Sequence, residues 1–340
     1  MIEVTDLVKR YGDHTAIDGV SFTIQDGLIY GLLGPNGAGK TTTMNILTGY
    51  LCANEGKVVV NGYDILKQTE KAKAQIGYLP EIPPLYEDMT VREYLGFVCE
   101  LKKAGGQTAE EIERVCKKTG IEDVSERLIR NLSKGYKQRV GIAQALIGSP
   151  AIIILDEPTV GLDPLQIIEI RDLIRELKTE HTVILSSHIL SEVSAVCDEI
   201  MIISHGKLVA QDSAENLSRL SEGRREVNVT VKGSRVEAEA AVKDLAGVAS
   251  FETKEDPEGT RIVIEPEAGC DIREDLFFRL ADARLPILHL SEEKASLEEI
   301  FIELTREDKA TTEGEESEDT AEETSEEASE EAVAEEADRS

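Results

Sequence analysis

At 340 residues, with 41% hydrophobic side chains, the chain is long enough for two domains and a substantial core. A formal net charge of -30, with no cluster of five or more basic residues, argues against a direct nucleic-acid groove. Nearly half of that charge is in one place: Glu307 to Ser340 holds 16 Asp or Glu against 2 Lys or Arg, so the tail carries -14 and the body -16. The five cysteines, Cys52, Cys99, Cys116, Cys197 and Cys270, form no C-x-x-C pair and have no His at ligand spacing, which reads as idle thiols in a reducing compartment. The N-terminus lacks a leader pattern, and no apolar run approaches the ~20 residues that span a bilayer, so the expected location is cytoplasmic.

In chain order, Ile2-Glu3-Val4 and Val20 to Ile24 alternate as small β-strands separated by the turn-rich Tyr11-Gly12-Asp13. Leu28 to Leu33 is an apolar run of strand length. Gly34-Pro35-Asn36-Gly37-Ala38-Gly39-Lys40-Thr41 follows it, with a second hydroxyl at Thr42, and fills the phosphate-loop pattern G-x-x-x-x-G-K-[ST]. The glycines and the alanine let successive N–H groups turn inward around a pyrophosphate, where a run of larger side chains would block them. Lys40 is expected to reach the β- and γ-phosphates, Thr41 to sit on Mg²⁺ and Thr42 to meet the α-phosphate. Thr43 to Thr48 then continues as a helix with its positive dipole end toward the phosphates.

Gly56 to Gly62 and Ile76 to Leu79 read as further strands. From Thr90 to Leu146 the spacing is helical, with Val91, Tyr94, Leu95 and Val98 on one face, and Ile112, Val115 and Cys116 following. Alternation of strand and helix then resumes: Ala151 to Leu155 as a buried central parallel strand, Leu165 to Leu177 as an amphipathic helix, Thr182 to Ser186 and Glu199 to Ile203 as buried strands. An open α/β core results. Beyond Gly223 the order is strand (Glu226 to Val231), helix (Arg235 to Leu245), two strands (Val248 to Thr253, Thr260 to Glu265), helix (Ile272 to Ala283) and strand (Ile287 to Leu290). This β-α-β-β-α-β order predicts a small ferredoxin-like α+β domain. Past Arg306 apolar periodicity ends, which predicts a disordered acidic tail.

Three more motifs carry chemistry. Ile153-Ile154-Leu155-Asp156-Glu157 is an apolar strand ending in two carboxylates, the first suited to hold Mg²⁺ through water and the second to act as general base on the attacking water. Leu132-Ser133-Lys134-Gly135-Tyr136 opens a helix with a hydroxyl and a glycine N–H at its dipole-positive end. His188 follows a core strand at the edge where phosphates must lie.

Residues 1 to about 220 resemble the ATP-binding-cassette (ABC) ATPases, a P-loop NTPase fold with an inserted helical subdomain, here about residues 90–146. Asp156 and Glu157 are similar to that family's Walker B segment, Leu132 to Tyr136 to its L-S-G-G-Q signature, Gly161-Leu162-Asp163 to the D-loop, His188 to the switch histidine and Tyr11 to the aromatic that stacks on adenine. The pattern looks most like the motors of bacterial ABC-2 type exporters, the drug-resistance, sodium-extrusion and gliding-motility group, and Ser296 to Phe301 is similar to the close of that group's C-terminal domain. The resemblance implies an ATP hydrolase with ATP and Mg²⁺ as ligands. It also implies a head-to-tail dimer with a second copy or close relative, and an integral-membrane permease partner that rides on the region from Tyr86 to Tyr94. The chain would then be peripheral on the inner face of the cell membrane. Its expected domains are 1–222 (ATP-binding), 223–305 (accessory) and 306–340 (tail).

Two departures stand out. Lys134 and Tyr136 replace a glycine and the glutamine of the signature, while Ser133 and Gly135, which would touch the γ-phosphate, remain. Glu81, after Tyr78-Leu79-Pro80, stands where the family has glutamine; its carboxylate can still accept a hydrogen from water and approach Mg²⁺, and so joins Glu157 and His188 as a catalytic candidate. The alternative reading, a soluble ABC protein acting as a switch on ribosomes or nucleic acid, calls for two cassettes or a long coiled coil between phosphate loop and signature. The chain has one Gly-Lys-Thr loop and a short spacing from Lys40 to Ser133.

Overall fold

The computed structural model describes residues 1–102, 108–213, 215–216, 225–267 and 270–294. The chain divides into two compact units, Met1–Ala214 and Glu215–Ser340.

The first unit runs β1 (Ile2–Tyr11), β2 (His14–Ile24), β3 (Ile29–Leu33), α1 (Lys40–Leu47), β4 (Glu55–Val60), β5 (Tyr63–Asp64), α2 (Thr69–Lys73), β6 (Ile76–Leu79), α3 (Val91–Leu101), α4 (Thr108–Thr119) and α5 (Lys134–Leu146). It continues with β7 (Ile152–Leu155), α6 (Pro164–Leu177), β8 (Thr182–Ser187), α7 (Leu190–Ser194), β9 (Glu199–Ser204) and β10 (Lys207–Ser213). One sheet has the order β2-β1-β4-β5 and the other β10-β9-β3-β8-β7-β6. In the second sheet β9, β3, β8, β7 and β6 are parallel, and β10 pairs antiparallel with β9 at the edge.

The strands at the start correct the sequence reading. They are one long hairpin, paired from Ile2 with Ile24 to Tyr11 with His14, instead of two short segments. Register shifts after Val4, Leu7 and Lys9 break the two-residue alternation, so the periodicity fades although pairing continues. β7 is also not at the centre of its sheet but second from an edge; its four side chains are fully buried because β6 and β8 flank it and both faces are covered. β5, α2, α7 and β10 were not expected from the sequence.

The helical region matches its apolar stripes. Val91, Tyr94, Leu95 and Val98 of α3 are buried, as are Ile112, Val115 and Cys116 of α4. A capping box starts α3: Glu93 N donates to Thr90 Oγ1 at 3.2 Å while Thr90 N donates to Glu93 Oε2 at 2.8 Å. α5 lies hard against β6, since a Cβ on Gly77 would come 2.1 Å from the Ala145 carbonyl oxygen. The arrangement of this unit gathers the turns that follow β3, β6, β7 and β8 at the carboxyl ends of parallel strands, where open α/β sheets place their ligands.

The second unit is β11 (Arg225–Val231), α8 (Arg235–Val242), β12 (Val248–Asp256), β13 (Gly259–Pro266), α9 (Arg273–Asp282) and β14 (Ile287–Lys294). Its sheet is antiparallel in the order β12-β13-β11-β14, the ferredoxin-like arrangement. Val227, Val229 and Val231 pack with Ala238, Val242, Ile262, Ile264, Leu276 and Leu280 in a core of its own. The expected family-like close at Ser296 to Phe301, the acidic tail and the proposed boundary at 222/223 lie outside the described residues. Among the described residues no helix is long and apolar enough to cross a membrane, and no group of three or more His, Cys, Asp or Glu could hold a metal ion. The five cysteines are free, with Cys99, Cys116 and Cys197 buried.

Candidate functional site

A cleft of about 470 Å³ opens at the carboxyl edge of the large sheet. It brings together Tyr11, Asn36, Gly37, Gly39, Lys40, Thr41, Thr42, Glu81, Glu157 and His188 from the sequence-derived set, and adds His14, Ala16 and Val160. The hairpin explains His14: it pairs directly with Tyr11, so the two side chains share a face.

The phosphate loop has the conformation its glycines permit. Gly37 and Gly39 have φ of 83° and 105°, the left-handed region, and Gly39 precedes α1 without any side-chain cap, so the first N–H groups of α1 stay free for an anion. Gly34 is wedged beneath: a Cβ there would lie 2.3 Å from the Ile203 carbonyl oxygen. Ala38 is buried, Pro35 and Asn36 are exposed, and the Thr41 side chain is more open than that of Thr42. Lys40 is 6% exposed; its ammonium donates to the carbonyls of Gly34 at 2.8 Å and Pro35 at 3.3 Å and lies 3.8 Å from Glu157 Oε1. Burial pulls the Lys40 ammonium below its ordinary pKa, against the opposing pull of Glu157, Asp156 and Glu81.

Behind it stand the carboxylates. Asp156 is 1% exposed; its Oδ1 accepts from Ser186 Oγ at 2.5 Å, while Oδ2, also buried, has no hydrogen-bond partner. A buried carboxylate oxygen left unpaired is costly, and a cation or a cation-bound water would satisfy it. Glu157 is buried with φ at 48°, a strained backbone for a residue with a side chain, held by its N–H donating to Ser186 Oγ at 2.9 Å. His188, exposed at the mouth, brings Nδ1 to 3.0 Å from Glu157 Oε2. Tyr11 is 47% exposed, with the Lys9 ammonium 5.2 Å from its ring centroid.

Ser133, Gly135 and Asp163 do not line the cleft. They form a second station, with Ser133 and Asp163 exposed and Gly135 buried between the helix ends: Ser133 caps α5, accepting from Tyr136 N at 3.3 Å, and Asp163 caps α6, accepting from Gln166 N at 3.0 Å. The two caps abut, because a Cβ on Gly135 would meet the Gln166 side chain at 2.7 Å and one on Gly161 would meet the Lys134 ammonium at 2.2 Å. Lys134 thus lies over the Gly161 turn, and the Tyr136 hydroxyl turns away to donate to Asp123 Oδ2 at 3.2 Å. The replacements leave Ser133 exposed.

Sequence reading missed Ser186, which joins the Asp156 carboxylate to the backbone N–H of Glu157, and the pair Thr159 and Glu192. Hydroxyl and carboxylate residues about thirty positions apart carry no spacing signal; only the adjacency of β7 and β8 brings them together.

Comparison with known proteins agrees with this geometry. Residues 17–160 match the family described as ABC transporter. The linearmycin resistance ATP-binding protein of Bacillus subtilis is 32% identical over 307 residues, covering 90% of this chain and 98% of that one. The bacitracin transport ATP-binding protein of Bacillus licheniformis is 38% identical over 221 residues, 64% and 72% of the two chains. A bacterial ABC transporter cassette solved as a dimer superposes with a TM-score of 0.58 at 25% identity, covering 63% of this chain and 99% of that one. The chain therefore belongs to the ABC transporter ATP-binding family, as an ATP-binding and ATP-hydrolysing motor subunit of the ABC-2 exporter group.

Proposed function

We propose that the cleft is half of an ATP site completed by a second cassette, whose Ser133, Gly135 and Asp163 close over the nucleotide. The observation that carries this is the separation just described: one chain presents a preorganised phosphate cradle and, elsewhere on the same unit, an exposed helix-capping station that its own cleft does not use. Tyr11 stacks on the base, the loop from Gly34 to Thr42 wraps the phosphates, and Lys40 leaves the Gly34 and Pro35 carbonyls for the β- and γ-phosphates. Asp156 Oδ2 and the Thr41 hydroxyl fit Mg²⁺, which supplies charge neutralisation on the phosphate oxygens when bound. Glu157 accepts the proton of the attacking water, His188 orients it at 3.0 Å from that carboxylate, and Glu81 lines the same cleft, where its carboxylate would be available to a water or to bound Mg²⁺.

ATP-driven closure of the pair then works a membrane permease, and the chain sits on the cytoplasmic face of the membrane through that partner. The surface after Glu81 supports this: Ile82 is 81% and Tyr86 53% exposed, and the Tyr86 ring is braced edge-on by Tyr94 and Phe97 at 6.0 and 5.5 Å.

Glu157→Gln tests the reading. It is expected to bind ATP and to lose at least ~100-fold in hydrolysis, as removal of a general base does, and to sediment as a dimer only with ATP. Parental turnover, or a monomer with ATP at high protein concentration, would refute it.

A further inference from the structure

We propose that Glu192 is the positioning residue that ties the carboxylate loop to the switch loop and thereby fixes His188 against Glu157. The proposal rests on the reading of Glu157 and His188 as groups that act on ATP.

The two loops leave neighbouring parallel strands, β7 and β8. Close to the strands they are stitched by Ser186, which accepts from Glu157 N and donates to Asp156. Farther out, where the base and the histidine must meet, that stitch no longer reaches. There the buried Thr159 hydroxyl donates to Glu192 Oε2. Ser187 Oγ lies 3.5 Å from the same oxygen and accepts the Ile189 N–H at 3.0 Å. One carboxylate oxygen thus receives hydroxyls from both loops, and the residues on either side of His188 are both anchored through it. Hydrogen bonds to an ionised acceptor are about twice as strong as neutral ones, which suits a tie that must hold Glu157 at φ 48°.

Glu192 is itself held in place. It lies on α7, and α7 presses on β3 so closely that a Cβ on Gly31 would lie 2.1 Å from Val193 Cγ1. The strand beneath leads straight into the phosphate loop. Loosening the tie should therefore widen the gap between His188 and Glu157 while leaving Tyr11 and the phosphate loop, which stand on other elements, to bind ATP as before.

The test uses the full chain with Glu192→Ala, Glu192→Gln, Thr159→Val and the double variant Glu192→Ala with Thr159→Val, reading kcat, KM for ATP and thermal stability. Each of Glu192→Ala and Thr159→Val is expected to lower kcat about 10-fold with KM within about twofold; the double variant should be no slower than the worse single one, because the two groups act as one contact. Glu192→Gln keeps an acceptor for the Thr159 hydroxyl and should recover most of the loss. Thr159→Val preserves shape and remains readable should Glu192→Ala fold poorly. Parental kcat in Thr159→Val, a KM rising in step with the loss, or losses that multiply in the double variant would overturn the proposal. Glu157→Gln is measured alongside: a fast Glu157→Gln removes the reading underneath, whereas a slow Glu157→Gln with a fast Thr159→Val removes the Glu192 tie alone.

Discussion

Lys40 is the clearest instance of a side chain whose chemistry waits on its ligand. Its ammonium is buried, rests on two carbonyls of its own loop, and titrates below the ordinary lysine range because burial disfavours its charge. A triphosphate reverses that balance by adding negative charge, so nucleotide raises the Lys40 pKa. It follows that ATP binding takes up a proton at pH values between the free-protein pKa and the higher bound one, and that affinity falls as pH rises through that window. Calorimetry in buffers of different ionisation enthalpy reads the uptake directly; no uptake in that window, or uptake that persists in Lys40→Ala, would contradict the assignment. Lys40, Asp156, Glu157 and His188 were legible in the sequence because phosphate and metal chemistry restricts which residue can stand at each position of a short motif. Ser186, Thr159 and Glu192 were not, since a serine, a threonine and a glutamate that meet only through strand pairing leave no local pattern.

Helix α5 shows how one element is placed for two tasks. Its N-terminus presents Ser133, and its C-terminal carbonyls at Gln144, Ala145 and Ile147 receive the Lys102 ammonium at 3.0, 3.3 and 3.0 Å, which satisfies groups that a helix end leaves unpaired. Along its length it rests on β6 at Gly77, where there is no room for a methyl group. Gly77→Ala should force strand and helix apart and cost about 1–3 kcal/mol, the range for overpacked cores, lowering the unfolding temperature by roughly 2–4 °C per kcal/mol for a unit of this size. An unchanged unfolding temperature would mean the contact is looser than drawn. The helices of this region were legible because their apolar stripes run unbroken and α3 begins with a capping box. The β1–β2 hairpin was legible only at its outer end, since its bulges shift the buried face every few residues.

The two units have separate hydrophobic cores, and the whole nucleotide cleft belongs to the first. Truncation after Leu220 is accordingly expected to leave ATP affinity within about threefold, a change of under 1 kcal/mol, measured by fluorescence titration. A truncated protein that keeps its circular-dichroism spectrum yet no longer binds ATP would place part of the site in the second unit. The order of strands and helices in that unit was legible because Glu226 to Val231 alternates polar and apolar residues and the Asp256-Pro257-Glu258-Gly259 turn marks the step between β12 and β13; its pairing order, with β11 between β13 and β14, follows from sheet geometry that no local stretch encodes.

The central claim is that each ATP is held between the phosphate cradle of one chain and the Ser133 station of another. Mixing two inactive chains tests it most directly. Lys40→Ala lacks a working cradle and Ser133→Arg lacks a working cap, so each alone should be silent. A mixed dimer holds one intact site, made from the cradle of the Ser133→Arg chain and the cap of the Lys40→Ala chain. ATP hydrolysis should therefore reappear on mixing and saturate as either chain is titrated into the other. Full activity of Ser133→Arg alone, or silence in a mixture shown by sedimentation to form dimers, would contradict the account.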